Sequence, residues 1–595
     1  MADSLKNIVK SPIAYNIKCN GREIPGSYKI VSISVFKEVN KVSTAFIQIL
    51  DGGYADGENY EISDSGDFNP GSEIEISVGY SSDEETIYKG IVLKHGLKMY
   101  RGSFMLDIEC KDEAVKTTLG RKNKIFELKT DSDIISEILG EYSNITTDIE
   151  ATSYEYPELL QNYTADWDFV VQRAEVNGMV LYNSDGEIQI KKPETGTPVL
   201  DLSPDNGVIS FNAYIDAKNM LSSVKGVSWD MDNQAIIEAN SNPPAANNAG
   251  NISSDDLSGI IGLDELVLTT SANTPMEVLT EWASAKHAKA EWSKVRGKIT
   301  IQGYNGILPG DTINLEDFSD QFNGSVFVSS VGHIIEDGEY TTELGLGLSP
   351  NWYIEEKPNV YAPPASGLIP PINGLYIAIV DQIHDDENGQ YRIKVSMPTL
   401  QSETLTMWAR LTTIYATQEA GFFFYPEIGD EVIVSFLNQD PQNPIILGSL
   451  HNKIKIPPEE PTEDNFIKAI ITKEKLKISF DEENKAITIE TPEQNIITMN
   501  DTDSIIRLKD MNDNVVEMSA DGIKLESAGD IVINAQGNIE LTSQGDIALS
   551  ATGDVAVEGV NIENKGQAKF AAEGANCEMN GSAQTVIKGG MVMIN

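Results

Sequence analysis

The chain has 595 residues, which is enough for several domains with sizeable cores. Its 91 acidic and 44 basic residues give a formal net charge of −47, which repels polyphosphates and indicates no nucleic-acid partner. Such acidity is more typical of a solubility requirement than of an acidic binding surface.

The cysteines and the N-terminal sequence indicate the cellular compartment. Cys19, Cys110 and Cys577 lie far apart, have no metal-ligand spacing and indicate a reducing environment, or at least no disulfide framework. The N-terminus lacks the apolar core of a signal peptide, and no apolar run approaches the length of a membrane helix. We therefore expect no export by the ordinary secretory route.

Residues 1–357 are predicted to form β-barrel domains with helical insertions. Apolar runs of strand length separated by Gly, Asp and Ser turns indicate β structure at 46–50, 73–80 and 104–110, and again between Gly297 and about residue 350. Residues 241–256 are rich in Pro, Asn and Ser and predict a mobile loop.

Three helices are predicted within this region. The first lies at 131–141 with an Asp or Ser cap, and the second lies within the segment 166–178, with Gly178 following its end. The clearest pattern is 274–295, where Thr274 is the expected cap and Pro275 lies in the first turn.

Two linkers separate the remaining domains of the chain. Residues 358–373 form a Pro-rich linker, and 374–452 contain five or six strand patterns in about eighty residues, which suits a small closed barrel of the OB type. A second linker is predicted at 453–467, and the last domain spans 468–595.

The last domain contains an eight-residue repeat. Its units are DGIKLESA (521–528), GDIVINAQ (529–536), GNIELTSQ (537–544), GDIALSAT (545–552) and GDVAVEGV (553–560). Positions three and five are apolar, so one side of a short strand points inward, while Gly followed by Asp or Asn forms the corner. A fixed period of this kind is typical of a stacked architecture.

Apolar pairs continue this pattern on both sides of the octads. Upstream they recur about every nine to eleven residues, and beyond 560 glycines keep a spacing of seven to eight.

A single chain of such units has too few apolar positions to close a core, whereas three chains winding together bury the columns and pair every strand edge. Ten octads at roughly 4.8 Å per strand give a prism about 50 Å long. A single-chain parallel β-helix is the alternative.

The octads resemble the C-terminal needle of the valine-glycine repeat (VgrG) spike proteins of type VI secretion and of related phage tails. The preceding PEIGDEVIVSFLNQDPQNPIILGSLHN (426–452) is similar to the OB-domain signature of that family. Further similarities lie at Trp167-Asp168-Phe169 with Arg173, Glu175 and Gly178, at Leu308-Pro309-Gly310-Asp311 and at Val331-Gly332-His333, all in the region that resembles the baseplate hub (1–357).

The resemblance implies a homotrimeric, non-enzymatic spike with a triple-stranded β-helix needle. Such a spike caps an Hcp-like inner tube and assembles with baseplate components. It carries effectors, binds a PAAR-like protein at its tip and contacts the target membrane transiently. It also implies assembly in the cytoplasm and export to the extracellular space or the target cell when a sheath contracts.

The chain departs from enzyme-bearing relatives. Only a short linker lies between the OB domain and the predicted needle, where tail-lysozyme relatives carry an enzyme. The needle pattern runs to KGGMVMIN, so we expect no effector domain after it. None of the five histidines lies beyond His451, so no histidine metal site is expected at the tip. The alternative function is an enzyme-bearing or glycan-degrading trimeric phage tail protein, which needs a cleft with acid and base carboxylates.

No catalytic, cofactor or metal site is predicted. DMNDN (510–514) begins like a calcium loop but has Val515 where that loop needs Gly, so a plain turn is favoured. The aspartates repeated at octad corners are interpreted as solvated turns. Trp167 and Phe169 are interpreted as core, and His333 and His384 as isolated histidines.

One functional site is predicted at the end of the needle. Met591, Val592, Met593, Ile594 and Asn595 form a last apolar rung, which three chains present together at the apex. An exposed apolar patch marks a partner surface, so we predict that this rung docks the tip protein. Completion of the final core layer is the competing interpretation.

Overall fold

The computed structural model describes residues 3–5, 12–53, 60–81, 83–245, 247–400 and 406–594. The chain divides into two compact units, Met1–Leu450 and His451–Asn595. The described residues are mainly β with a few helices, as the sequence predicts. The domain boundaries given above stay predictions.

The first part of the larger unit is built from long antiparallel strands. In chain order it contains β1 (Asp3–Ser4), β2 (Ile13–Cys19), β3 (Arg22–Glu23), β4 (Lys29–Glu38), β5 (Thr44–Gly53), β6 (Glu73–Tyr80), β7 (Asp83–Tyr100), β8 (Ser103–Lys111) and β9 (Lys122–Thr130). The two predicted helices follow among shorter strands: α1 (Asp131–Leu139), β10 (Thr146–Ile149), β11 (Glu155–Thr164), α2 (Asp166–Val176), β12 (Val180–Ser184) and β13 (Glu187–Lys191).

A second series of strands completes this region. It contains β14 (Leu200–Leu202), β15 (Val208–Ile215), β16 (Val224–Asp230), β17 (Ala235–Asn240), α3 (Ser254–Ile261), β18 (Leu266–Thr269), α4 (Met276–Trp292), β19 (Val295–Gln302), β20 (Thr312–Leu315), β21 (Gly324–Glu336), β22 (Glu339–Leu346) and α5 (Tyr353–Glu356).

The long strands form two six-stranded arrays with the same strand order. The first array is ordered β2-β6-β7-β8-β5-β4, and the second is ordered β14-β20-β21-β22-β19-β15. When the six strands of each array are numbered 1 to 6 along the chain, both orders are 1-4-5-6-3-2. All neighbours are antiparallel except β14 and β20, which are parallel. Each array has its own apolar core, and β4 joins them by pairing with β21. The larger unit therefore contains an internal duplication.

Three local expectations about helix ends were wrong. The cap of α1 is Thr130, whose hydroxyl accepts from the Asp133 backbone N–H in a capping box. Pro275, not Thr274, occupies the N-cap of α4. The predicted loop at 241–256 already contains the start of α3, because the Ser253 hydroxyl accepts from the Asp256 N–H and caps a short helix.

The last part of the larger unit is a closed barrel, which confirms the predicted OB-type fold. Its strands are β23 (Tyr376–Gln382), β24 (Ile393–Ser396), β25 (Thr406–Leu411), β28 (Glu431–Phe436) and β29 (Pro444–Ser449), and a short hairpin of β26 (Ala416–Thr417) and β27 (Ala420–Gly421) lies between β25 and β28. The barrel closes in the order β23-β24-β25-β29-β28 around a core that includes Val380, Val395 and Val434.

The smaller unit begins with a seven-stranded antiparallel meander. Its strands are β30 (Ile467–Ile471), β31 (Lys477–Asp481), β32 (Ala486–Glu490), β33 (Ile496–Asn500), β34 (Ile505–Lys509), β35 (Val515–Ser519) and β36 (Gly522–Glu526). From residue 527 to residue 594, all of which the structure describes, no further strand forms within the chain.

Candidate assembly interface

The meander places its apolar side chains in two columns on one face. Strand alternation sends every second residue to this face, and the pairing registers align the residues across strands. The first column contains Phe480, Ile487, Met499, Ile506, Met518 and Ile523, and the second contains Ile478, Ile489, Ile497, Leu508, Val516 and Leu525. All of them except Val516 are exposed. Seven strands at about 4.8 Å make an apolar face about 30 Å long.

The octads continue the apolar sequence pattern of the meander without forming strands. Apolar side chains at octad positions three and five remain exposed, namely Ile531, Ile533, Ile539, Leu541, Ile547, Leu549, Val555 and Val557. Every residue from 528 to 594 is exposed. Holding one residue in a single backbone conformation costs about 1–2 kcal/mol, and burial of apolar surface is what offsets that cost. Within the chain, this segment buries almost none of its apolar surface.

The predicted tip rung is exposed as well. Met591, Val592, Met593 and Ile594 all have half or more of their surface in contact with solvent, and Asn595 lies outside the described residues. Tip-protein docking at this rung stays a prediction.

The α2 residues that carry the hub resemblance hold neighbouring elements together. The Tyr353 hydroxyl donates to Asp168 Oδ1 at 2.6 Å, and Glu175 accepts from the Tyr353 backbone N–H at 2.8 Å and from Lys289. Trp167 is buried in the core around α1 and α2, as predicted. These contacts join α2 to α4 and α5, so the motif has a structural role.

An ion pair with a buried carboxylate connects α2 to α1, and the sequence does not predict it. Arg173 donates from Nε to Asp131 Oδ1 at 2.6 Å and from Nη2 to Asp131 Oδ2 at 3.0 Å. The Asn177 amide also donates to Asp131, and Tyr156 accepts from Arg173. The partners are 42 residues apart in sequence, and no local pattern indicates their contact.

The OB-signature residues form turns and strand ends of the barrel. Gly429 has φ +84°, a left-handed conformation that favours glycine, and Asp430 accepts from the Glu427 backbone N–H at 2.9 Å. Asp440 accepts from the Gln442 N–H, and Pro444 starts β29. The signature thus specifies the barrel's corners.

His333 is a core histidine between the two arrays. Its Nδ1 lies 2.9 Å from the Tyr340 hydroxyl, and burial lowers its pKa to about 3, assisted by the positive charge of Lys37. By contrast, His384 is exposed beside Asp385. His333 therefore stays neutral in the folded protein near neutral pH.

This burial predicts a pH-dependent stability. Unfolded His333 binds a proton below about pH 6.5 and the folded form does not until about pH 3, so the free energy of unfolding decreases as pH falls through this window. We expect the urea midpoint to decrease between about pH 7 and pH 5, and less steeply in His333→Gln. Urea titrations at several pH values measure this. The exposed-site control His384→Gln should retain the original slope; equal slopes in all three proteins contradict the prediction.

The described residues show no metal-binding cluster of three or more His, Cys, Asp or Glu side chains. The segment that begins like a calcium loop is a turn in which Asp510 Oδ1 accepts from the backbone N–H groups of Asn512 and Asn514. None of the helices in the described ranges has the length and hydropathy of a membrane span.

Two protein families match most of the larger unit. The family described as the Alg8 N-terminal domain matches residues 10–337, which is more than half of the chain. The family described as the type VI secretion system/phage-baseplate injector OB domain matches residues 376–451, the closed barrel.

Curated relatives share shorter segments. The type VI secretion system spike protein VgrG2a of Pseudomonas aeruginosa is 32% identical over 146 residues, which cover 23% of this chain and 17% of that relative. The actin cross-linking toxin VgrG1 of Vibrio cholerae is 37% identical over 98 residues, which cover 15% of this chain and 9% of the toxin. The chain thus matches only a small part of these relatives' length.

Solved structures of tail proteins align at low similarity. The 43 kDa tail protein of prophage MuSo2 from Shewanella oneidensis aligns with a TM-score of 0.44 and 11% identity over 57% of this chain and 98% of that protein. The tail protein of Neisseria meningitidis MC58 aligns with a TM-score of 0.43 and 14% identity over 59% of this chain and 99% of that protein. TM-scores of this size do not establish a shared fold.

Proposed function

Because the chain belongs to the family of the Alg8 N-terminal domain and is a VgrG-type spike protein, we propose that it assembles as a homotrimer, caps the inner tube of a contractile injection machine and punctures the target envelope. In this proposal the spike has no catalysis of its own. It carries effectors or a tip protein, assembles with baseplate components in the cytoplasm, and leaves the cell when a sheath contracts.

The uncovered apolar columns of the smaller unit are the observation that carries the proposal. A seven-stranded sheet with one apolar face, followed by an extended segment whose residues are all exposed, has no core of its own. Three copies wound about a common axis would bury both columns and pair the strand edges of the octads. A rod formed in this way suits mechanical penetration.

The duplicated arrays support the tube-capping part of the proposal. Each chain contributes two arrays of identical strand order, so three chains contribute six. The resemblance to VgrG spikes implies a sixfold inner tube, and six similar units in a ring match that symmetry, whereas three unlike units do not.

Light scattering on the purified full-length protein tests the oligomeric state. The expected mass is three times the 65.0 kDa of the chain, at micromolar concentration and in the absence of other components. A mass of one chain under these conditions would overturn the homotrimer.

The tip rung supplies a further prediction. In Met591→Ser/Met593→Ser, the three chains lose six apolar side chains at the apex, so we expect at least a tenfold weaker affinity for a PAAR-repeat protein with no change in trimer mass. Biolayer interferometry measures the affinity, and Thr585→Ser is a control for substitution in the nearby needle. Unchanged affinity would favour the competing interpretation, in which the rung completes the core.

A further inference from the structure

A cleft of about 600 Å³ lies on the face of the second array opposite its apolar core. Strand alternation places Ile299 and Leu344 in that core and sends Arg296, Lys298 and Gly345 to the other face, where they line the cleft. The helix α4 and the residues that follow α2 and β22 form its walls. We name it the Arg296 cleft, and its volume is typical of sites that enclose a ligand.

A β-bulge in β21 turns two consecutive hydroxyl groups toward this cleft. The register of β21 against β22 shifts between Val328 and Ser330, so Ser329 is the extra residue of the bulge. A Cβ on Gly345 would be 2.2 Å from the Ser330 Oγ and 3.3 Å from the Ser329 Oγ, so both hydroxyls lie beside this glycine. The bulge therefore adds a second hydroxyl donor to the floor of the cleft.

Arg296 is a cation of the cleft without an acceptor. Among the residues that the structure describes, its guanidinium and the hydroxyls of Ser329, Ser330 and Tyr214 have no hydrogen-bond partner. Tyr214 lies directly opposite Arg296 in the pairing of β15 with β19. Donors of positive charge and hydroxyl groups thus converge on one space that contains no acceptor for them.

The other charged groups of the lining are already neutralised. Its lysines pair within the chain: Lys41 with Glu38, Lys289 with Glu175, Lys298 with Glu343, and Lys357 with the ring of Tyr353. These pairs account for the carboxylates of Glu38 and Glu175, so neither of them neutralises Arg296. The unmatched charge of the cleft is positive, although the whole chain is strongly acidic.

Apolar surface lies next to the unmatched cation. Tyr214, Ala288 and Leu348 line the cleft and are partly or largely accessible to solvent. An inorganic anion would satisfy the guanidinium but would leave this surface and most of the volume unfilled. A peptide segment with an acidic residue beside an aliphatic one complements both features.

We propose that the Arg296 cleft binds an acidic peptide segment of a partner protein. One carboxylate of the segment pairs with the Arg296 guanidinium, whose planar fork suits a carboxylate, and the hydroxyls of Ser329 and Ser330 donate to acceptors of the same segment. An aliphatic side chain of the segment packs against Ala288 and Leu348. The site is independent of the proposed trimer, because one chain supplies all of these residues.

The acidity of the whole chain is compatible with an acidic partner. At physiological ionic strength, exposed charges more than about 8 Å apart are largely screened from each other. The distant carboxylates that make up the net charge of −47 therefore act weakly on the segment, whereas Arg296 contacts it directly.

Fluorescence anisotropy with the full-length protein at physiological ionic strength tests the proposal. The probe is a labelled hexapeptide of alternating leucine and glutamate, and we expect saturable binding. Arg296→Gln should weaken the affinity at least about tenfold, because it removes charge-assisted hydrogen bonds, and Ser330→Ala should weaken it about threefold. The same hexapeptide with glutamine in place of glutamate should bind at least about tenfold more weakly.

Arg22→Gln is the matched control. Arg22 is exposed on β3 and does not line the cleft, so its replacement removes the same charge from the same unit and should leave the affinity unchanged. Matching circular dichroism spectra verify that all variants are folded. Equal affinities of Arg296→Gln and Arg22→Gln, or the lack of saturable binding, would overturn the site. Displacement of the hexapeptide by an equal concentration of inorganic phosphate would overturn the assignment to a peptide.

Discussion

Ile489→Lys is expected to convert the proposed trimer into monomers at micromolar concentration. Ile489 lies in the second apolar column, opposite Ile478 on one side and Ile497 on the other. In a threefold needle the variant would bring three ammonium groups into one apolar layer. Each buried, unpaired charge costs roughly 3–5 kcal/mol, so the assembly would lose on the order of 10 kcal/mol.

The adjacent residue provides the matched control. Thr488 points to the opposite face of β32, where Ser479 and Thr498 are its neighbours, so Thr488→Lys adds the same charge to the same strand without entering the columns. Light scattering should give one-chain mass for Ile489→Lys and three-chain mass for Thr488→Lys. A stable trimer in Ile489→Lys would show that the columns do not form the shared core.

The apolar face of the meander and the closed barrel could be predicted because their signals are local. Alternation places Ile497 and Met499 on one face, and the Gly-Asp corners recur at a fixed period, so sequence alone indicates which side is apolar. In the barrel, Gly429 and Asp430 mark a turn by residue type.

The duplicated arrays could not be predicted in the same way. The hairpins β7–β8 and β21–β22 share a register shift and a turn with two positive φ values, but Leu97 stands where the second array has His333 and Met99 where it has Ile335. A position in the fold constrains the size and polarity of a residue without fixing its type. The duplication is therefore visible in the strand pairing and not in the amino-acid sequence. The contact between α1 and α2 could not be predicted either, because its partners are 42 residues apart in sequence and no local pattern indicates it.

That contact, the Arg173–Asp131 pair, gives the second large prediction: Arg173→Ala is expected to lower the free energy of unfolding of the larger unit by about 3–5 kcal/mol. Asp131 is 2% exposed, and loss of the guanidinium leaves its carboxylate, among the residues that the structure describes, with the side chains of Asn177 and Tyr156 as donors. Lys129→Ala removes a solvent-exposed partner of Glu137 and should cost less than about 1 kcal/mol.

Tryptophan fluorescence during urea unfolding of the full-length protein measures this difference. All six tryptophans precede residue 451, so the fluorescence reports unfolding of the larger unit and not of the smaller unit. Arg173→Ala should show a clearly lower midpoint, and Lys129→Ala should overlay the unsubstituted protein. Replacing both partners, as in Asp131→Leu/Arg173→Met, should recover much of the loss, because no charge is then left buried without a partner. If Arg173→Ala and Lys129→Ala had equal midpoints, the buried pair would not be what holds α1 against α2.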